Sequence, residues 1–82
     1  MFRYTAYFEN DVMVKRPYIK KAWCEAVMMS PERVEEQTDG RCRFWRRVPE
    51  YGNRYLRVVT LEDHVTILNA FFDRDFQRRT DQ

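Results

Sequence analysis

Apolar side chains recur along this chain at two different periods. Near the start, Tyr4, Phe8 and Val12 stand at i, i+4 and i+8, the spacing of one helix face. Residues 2–8 also alternate partly, as the beginning of a strand does, but the helical spacing is the better fit. It predicts a helix from about Ala6 to Val14. After the Arg16-Pro17 break, Ile19, Ala22, Trp23, Ala26 and Val27 form a single apolar stripe at i, i+3, i+4, i+7 and i+8. Pro17 suits the first turn of that second helix, because its φ is already helical and its missing N–H has no partner there. Ser30-Pro31 ends it, since a residue before proline is pushed out of the α region.

Beyond Pro31 the period changes to two. Arg33 to Gln37 is weakly patterned and fits an edge strand. Asp39-Gly40 is a hairpin-turn dipeptide. Arg41 to Val48 then alternates: Cys42, Phe44, Arg46 and Val48 share one side, and Arg41, Arg43, Trp45 and Arg47 the other. Pro49 to Asn53 reads as a turn and Arg54 to Leu61 as a strand rich in β-formers. Glu62-Asp63-His64 is a third turn. Val65 to Phe72 is apolar except for Thr66 and Asn69, as in a strand covered on both faces. The elements sum to an α+β fold: two N-terminal helices packed on one face of an antiparallel β-meander of about four strands.

Length adds that this is one domain of 82 residues, with a core over about residues 4–76 and a charged C-terminal tail over 77–82; the charged stretch from Asp73 onward is expected to fray. No apolar run reaches the roughly 18 residues of a membrane helix, and no apolar leader opens the chain. The cysteines, Cys24 and Cys42, are too far apart for a CxxC motif and read as reduced thiols of a cytoplasmic protein. One histidine and two scattered cysteines predict no metal site. No cofactor loop is present, because the two glycines, Gly40 and Gly52, make no phosphate cradle.

Charge changes the picture by type more than by sum. The net charge is only +2, yet lysine is confined to Lys15, Lys20 and Lys21, so twelve of the 15 basic residues are arginine. Arginine presents a planar fork of donors suited to carboxylate or phosphate. If Phe44 and Val58 face the helices, the opposite sheet face collects Arg41, Arg43, Arg47, Trp45, Tyr55 and Arg57. Arginines interleaved with aromatic rings suit RNA, the guanidinium groups gripping phosphate and the rings stacking on bases. The plainer alternative is a solvated strand whose arginines pair with Glu35, Glu36 and Asp63. Asn69 interrupts an apolar run and needs a partner or a site. Asp73 at the strand exit is placed to orient a sheet arginine or simply to pair with it. His64, at a turn, needs no special reason to be polar.

The segments KRPY, WCEAV, SPERVEEQTDGRCRFW, YLRVVTLED and TILNAFFDR together resemble a set of small bacterial proteins with a two-helix, DGR-hairpin, LRVV-strand pattern. These are similar in turn to the BrnT-type and RelE/ParE-like toxins of toxin–antitoxin pairs. The likeness spans about residues 4–76. It implies an endoribonuclease-like toxin acting on RNA, restrained by a small acidic antitoxin. Matching positions are Arg41, Arg43 and Arg57, with Asn69, Asp73 and Arg74 from NAFFDR and Arg16 from KRPY. His64 departs from the pattern, which usually has Gly at that turn. Arg41, Arg43, Arg57 and Tyr55 are thus candidate catalytic residues. Arg16, Arg47, Trp45 and Arg74 are candidate RNA contacts, with Asn69 and Asp73 in support. Cleavage also needs a base, and arginine, with a pKa above about 12, is a poor one; Tyr55, a carboxylate or His64 would have to serve. Two other readings use the same residues: a non-catalytic module binding RNA or an acidic protein, and a homodimer anchored by Trp45, Tyr51 and Tyr55.

Overall fold

The fold is that of a computed structural model, which describes residues 1–76. A single five-stranded sheet forms its frame, in the order β1-β5-β4-β3-β2. The strands are β1 (Arg3–Tyr4), β2 (Arg33–Glu36), β3 (Cys42–Val48), β4 (Arg54–Thr60) and β5 (Thr66–Phe72). Adjacent pairs from β2 to β5 are antiparallel, but β1 runs parallel to β5, with Arg3 opposite Thr66 and Tyr4 opposite Ile67. The sheet is therefore mixed. This overturns the expected arrangement of two N-terminal helices on an antiparallel meander of about four strands. A strand precedes the helices, and helical segments lie between β1 and β2, after β3 and after β5. The N-terminal residues can pair because β5 would otherwise expose an edge. Arg3 N–H donates to Val65 O at 3.1 Å and Thr5 N–H to Ile67 O at 3.1 Å.

The first helical run, α1, covers residues 6–15 and contains a π-turn at Phe8–Val12. Phe8 and Val12 are both buried against the sheet. Helix α2 spans Lys21–Met29 and starts later than Pro17 suggests. Pro17 instead occupies the second position of a turn closed by Ile19 N–H to Arg16 O at 3.0 Å, where its fixed φ serves equally well. That turn sends Ile19 into the core and leaves Arg16 and Tyr18 at the end of the sheet. The carbonyl of Ser30, at the C-terminus of α2, accepts from Arg46 Nη1 at 2.8 Å, the charge expected at a helix C-terminus.

The helix-facing core joins Phe8, Val12, Ile19, Cys24 and Val27 to Cys42, Phe44, Val48, Leu56, Val58, Ile67 and Ala70. On the opposite face Trp45, Tyr55 and Phe76 form a second cluster. A helical turn over residues 74–76 brings Phe76 back over the sheet, so the chain from Asp73 to Phe76 is packed rather than frayed; the rest of the charged tail lies outside the described residues. The Trp45 ring lies under Phe76, centroids 4.8 Å apart and planes 11° off parallel, and Tyr55 meets Phe76 edge-on. Buried aromatic pairs of this kind are worth about 0.5–1.5 kcal/mol beyond their area. Among the described residues no helix is long and apolar enough to cross a membrane, and both cysteines are free and buried.

Candidate nucleic-acid interface

Strand register decides which side chains share the face away from the helices. One row runs Arg33, Trp45, Arg57, Phe71, and the next Glu35, Arg43, Val59, Asn69. Arg43 and Arg57 are therefore diagonal neighbours beside Asn69. The β4–β5 register slips by one residue after the Val59–Asn69 pair, so that Thr60 faces Ile67; such a bulge bends a strand and re-aims its side chains. Asn69 Oδ1 accepts from its neighbour Ala70 N–H at 2.9 Å and from Arg16 Nη1 at 3.4 Å.

Trp45 is not on an open surface. It is 1% exposed, and its indole N–H donates to Asp73 Oδ2 at 3.0 Å. The same carboxylate accepts from Phe76 N–H at 3.1 Å, capping the final turn, and pairs with Arg57 at 3.6 Å. Burial pushes the Asp73 carboxyl up, but the Trp45 and Phe76 hydrogen bonds and the Arg57 charge outweigh it, and the carboxyl lies below its ordinary value. Arg57 lies over the rings of Phe71 at 4.9 Å and Trp45 at 5.8 Å. Burial, then the nearby charge of Arg43, lowers its pKa from the usual arginine value. Arg57 is thus held between two rings and a carboxylate. The Nε atoms of Arg43 and Arg57 are both buried without a hydrogen-bond acceptor.

The expected catalytic set does not converge. Arg41 is exposed and turned back on its own hairpin, its N–H bonded to Asp39 at 3.0 Å and its Nε 3.8 Å from the same carboxylate. Tyr55 is buried; its hydroxyl accepts from Arg47 Nη2 at 2.9 Å and donates to Glu32 Oε1 at 3.3 Å. The Arg47 guanidinium lies over the Tyr55 ring at 4.9 Å. Trp45 and Tyr55, buried within one chain, are not available as the anchors of a dimer surface; Tyr51 is half-buried.

Arg16 and Arg74, by contrast, meet across a cleft of about 460 Å³ at the end of β5. Tyr18, Tyr51, Arg54, Phe71, Phe72 and Asp73 complete its walls. Three aromatic rings line it as a stack: Tyr51 on Phe72 at 4.4 Å and Tyr18 on Tyr51 at 5.8 Å. The Arg54 guanidinium lies 5.6 Å over Tyr51. Arg16 spans both surfaces, since it lines the cleft, lies over Phe71 at 5.8 Å and reaches Asn69. Three arginines and one carboxylate thus line the cleft, and that carboxylate is already engaged by Trp45, Arg57 and a backbone N–H.

Tyr18 and Arg54 escape sequence reasoning, and Tyr51 enters it only as an anchor of a dimer. Both tyrosines sit in turns, where no period reveals a neighbour. Arg54 opens β4 opposite Val48, on the side assigned to the core. The faint signal is the pair of aromatic residues flanking turn-formers, Pro17-Tyr18 and Tyr51-Gly52. His64 is remote from the cleft and lies instead against Cys42, at the far end of the strands. No protein-family model, curated protein or solved structure matches this chain.

Proposed function

We propose that the chain binds single-stranded RNA, with phosphate held by Arg16, Arg54 and Arg74 and a base received among the rings of the cleft. The observation that carries this reading is the meeting of three arginines and an aromatic stack in one cavity of about 460 Å³, a volume within the usual range of about 300–1,000 Å³ for ligand sites. Guanidinium forks match phosphate oxygens, and rings accept any base face, which favours single strands. Arg43 extends the positive surface along the sheet beyond Asn69.

The toxin role implied by the resemblance draws on the same surface, since an RNA-cleaving toxin must first hold RNA. Cleavage needs a base next to the bound ribose. Among the described residues the cleft's one carboxylate is Asp73, whose oxygens are occupied, so binding without cleavage is the expected behaviour. A labelled short RNA incubated with purified protein and followed by anisotropy and on a denaturing gel tests both steps. Retention of intact RNA supports the binding reading. Specific cleavage, together with growth arrest on induced expression, replaces it with the ribonuclease reading. No binding even at low salt removes both.

A further inference from the structure

At the end of the sheet opposite the cleft, two side chains of the β2–β3 hairpin meet one from the distant β4–β5 turn. Glu36 ends β2 and pairs in register with Cys42, the first residue of β3. His64 comes from the β4–β5 turn, and its Nε2 lies 2.8 Å from Cys42 Sγ. The carboxylate, thiol and imidazole donor atoms all lie within 4.8 Å of one another. Glu36 and His64 are exposed while Cys42 is buried, so the thiol has polar neighbours on the side open to solvent.

The backbone presents His64 in an uncommon way. Its φ is +60°, a region that non-glycine residues enter seldom and that is a few-fold enriched in Asn, Asp and His. The turn that holds it there is heavily bonded. His64 N–H donates to Leu61 O at 3.1 Å, and Asp63 accepts from the N–H groups of Val65 and Thr66, each at 2.9 Å. The imidazole is thereby set against the thiol and, edge to face, against the Phe44 ring.

We propose that Glu36, Cys42 and His64 form a binding site for a borderline-soft divalent cation, zinc being the best match. Thiolate and imidazole select such ions over calcium or magnesium, and the carboxylate completes a three-residue set with a fourth position for water. Metal–donor bonds of about 2.0–2.3 Å require the three donors to stand roughly 3.3–3.8 Å apart, so the thiol–imidazole pair, now at 2.8 Å, opens slightly on binding. The thiol proton leaves to solvent on binding. The ion would tie β2, the start of β3 and the β4–β5 turn together.

Cobalt(II), a spectroscopic stand-in for zinc, tests this on the whole chain. One equivalent should give a thiolate-to-metal charge-transfer band in the near ultraviolet, which zinc then bleaches. Cys42→Ser should abolish the band. His64→Asn, which keeps a residue tolerant of positive φ, and Glu36→Gln each alter an exposed residue; each should weaken cobalt binding by at least about tenfold. Zinc at a hundredfold excess over its dissociation constant should raise the melting temperature by about 10 °C or more. The proposal is overturned if no band forms under excess cobalt, or if the band keeps full affinity in both His64→Asn and Glu36→Gln. Should Cys42→Ser fail to fold, those two variants decide the matter.

Discussion

Asp73→Ala should be among the most damaging single changes outside the main core. The substitution removes three interactions at once: the acceptor for the buried Trp45 N–H at 3.0 Å, the cap on Phe76 N–H at 3.1 Å and the partner of Arg57 at 3.6 Å. An unsatisfied buried donor costs about 1–3 kcal/mol. Loss of a cap costs about 0.5–2 kcal/mol, and the short turn after Asp73 argues for the low end. Arg57 keeps 22% of its side-chain exposure, so water compensates part of the lost pairing and little is added on that account. The combined loss is about 1.5–3.5 kcal/mol, a large share of what so small a domain can hold. Urea unfolding followed by far-ultraviolet circular dichroism measures it, and the melting temperature should fall by about 10–25 °C. Trp45→Phe removes the indole donor and keeps a ring. In that background Asp73→Ala should cost about 1 kcal/mol less, the coupling expected of a direct bond. A loss below about 0.5 kcal/mol, or strict additivity of the two changes, would refute the reasoning.

Other outcomes follow from the same contacts. Asp63 is held near a pKa of about 2 by the Thr66 hydroxyl and by the N–H groups of Thr66 and Val65, and Asp73 is also depressed. Groups depressed on folding stabilise the fold above their unfolded pKa, about 3.9 for Asp, and lose that contribution as pH falls through the folded value. The urea midpoint should therefore drop between about pH 4 and pH 2, and Asp63→Asn should flatten that drop. Gly40→Ala should cost about 1–2 kcal/mol in the same assay, because Gly40 has φ +93°. The added Cβ would also lie 2.9 Å from Glu62 Oε2, but a flexible side-chain end can move, so adding Glu62→Ala should restore less than half of the loss. Phe76→Ala should uncover Trp45, seen as a red shift of its fluorescence, measured in a Trp23→Phe background.

Local pattern carried the elements further than their assembly. The helical period on α2 was legible but its buried face only in part: Trp23 and Val27 pack inward, whereas Ala22 and Ala26 are exposed and Cys24 and Met28 turn to the core. The alternation of β3 placed its side chains on the right faces, although Trp45 is buried on the face away from the helices as well. β1 is two residues long and exists because β5 offers it an edge, a pairing across more than sixty positions that no local period announces. Alternation assigned Trp45 to the face away from the helices, as register confirms, but that face is not open, because Phe76 returns to cover it. The arginines divide by the same logic. Arg43 and Arg57 could be placed together from register, whereas the meeting of Arg16, Arg54 and Arg74 depends on two turns and a strand end. Cys42 and His64 are 22 positions apart, and the hairpin joins them with a geometry that sequence spacing cannot show.

The central claim is that the cleft holds RNA phosphate, and the salt dependence of binding tests it most directly. Anisotropy titrations of a short single-stranded RNA over a range of salt should give a log–log slope near −2 if three phosphates are neutralised, each contributing about −0.7. Arg54→Gln with Arg74→Gln, both at exposed positions, should weaken binding and make the slope about 1.4 shallower, while the urea midpoint stays where it was. An unchanged slope and affinity in that double variant would contradict the assignment of RNA to the cleft.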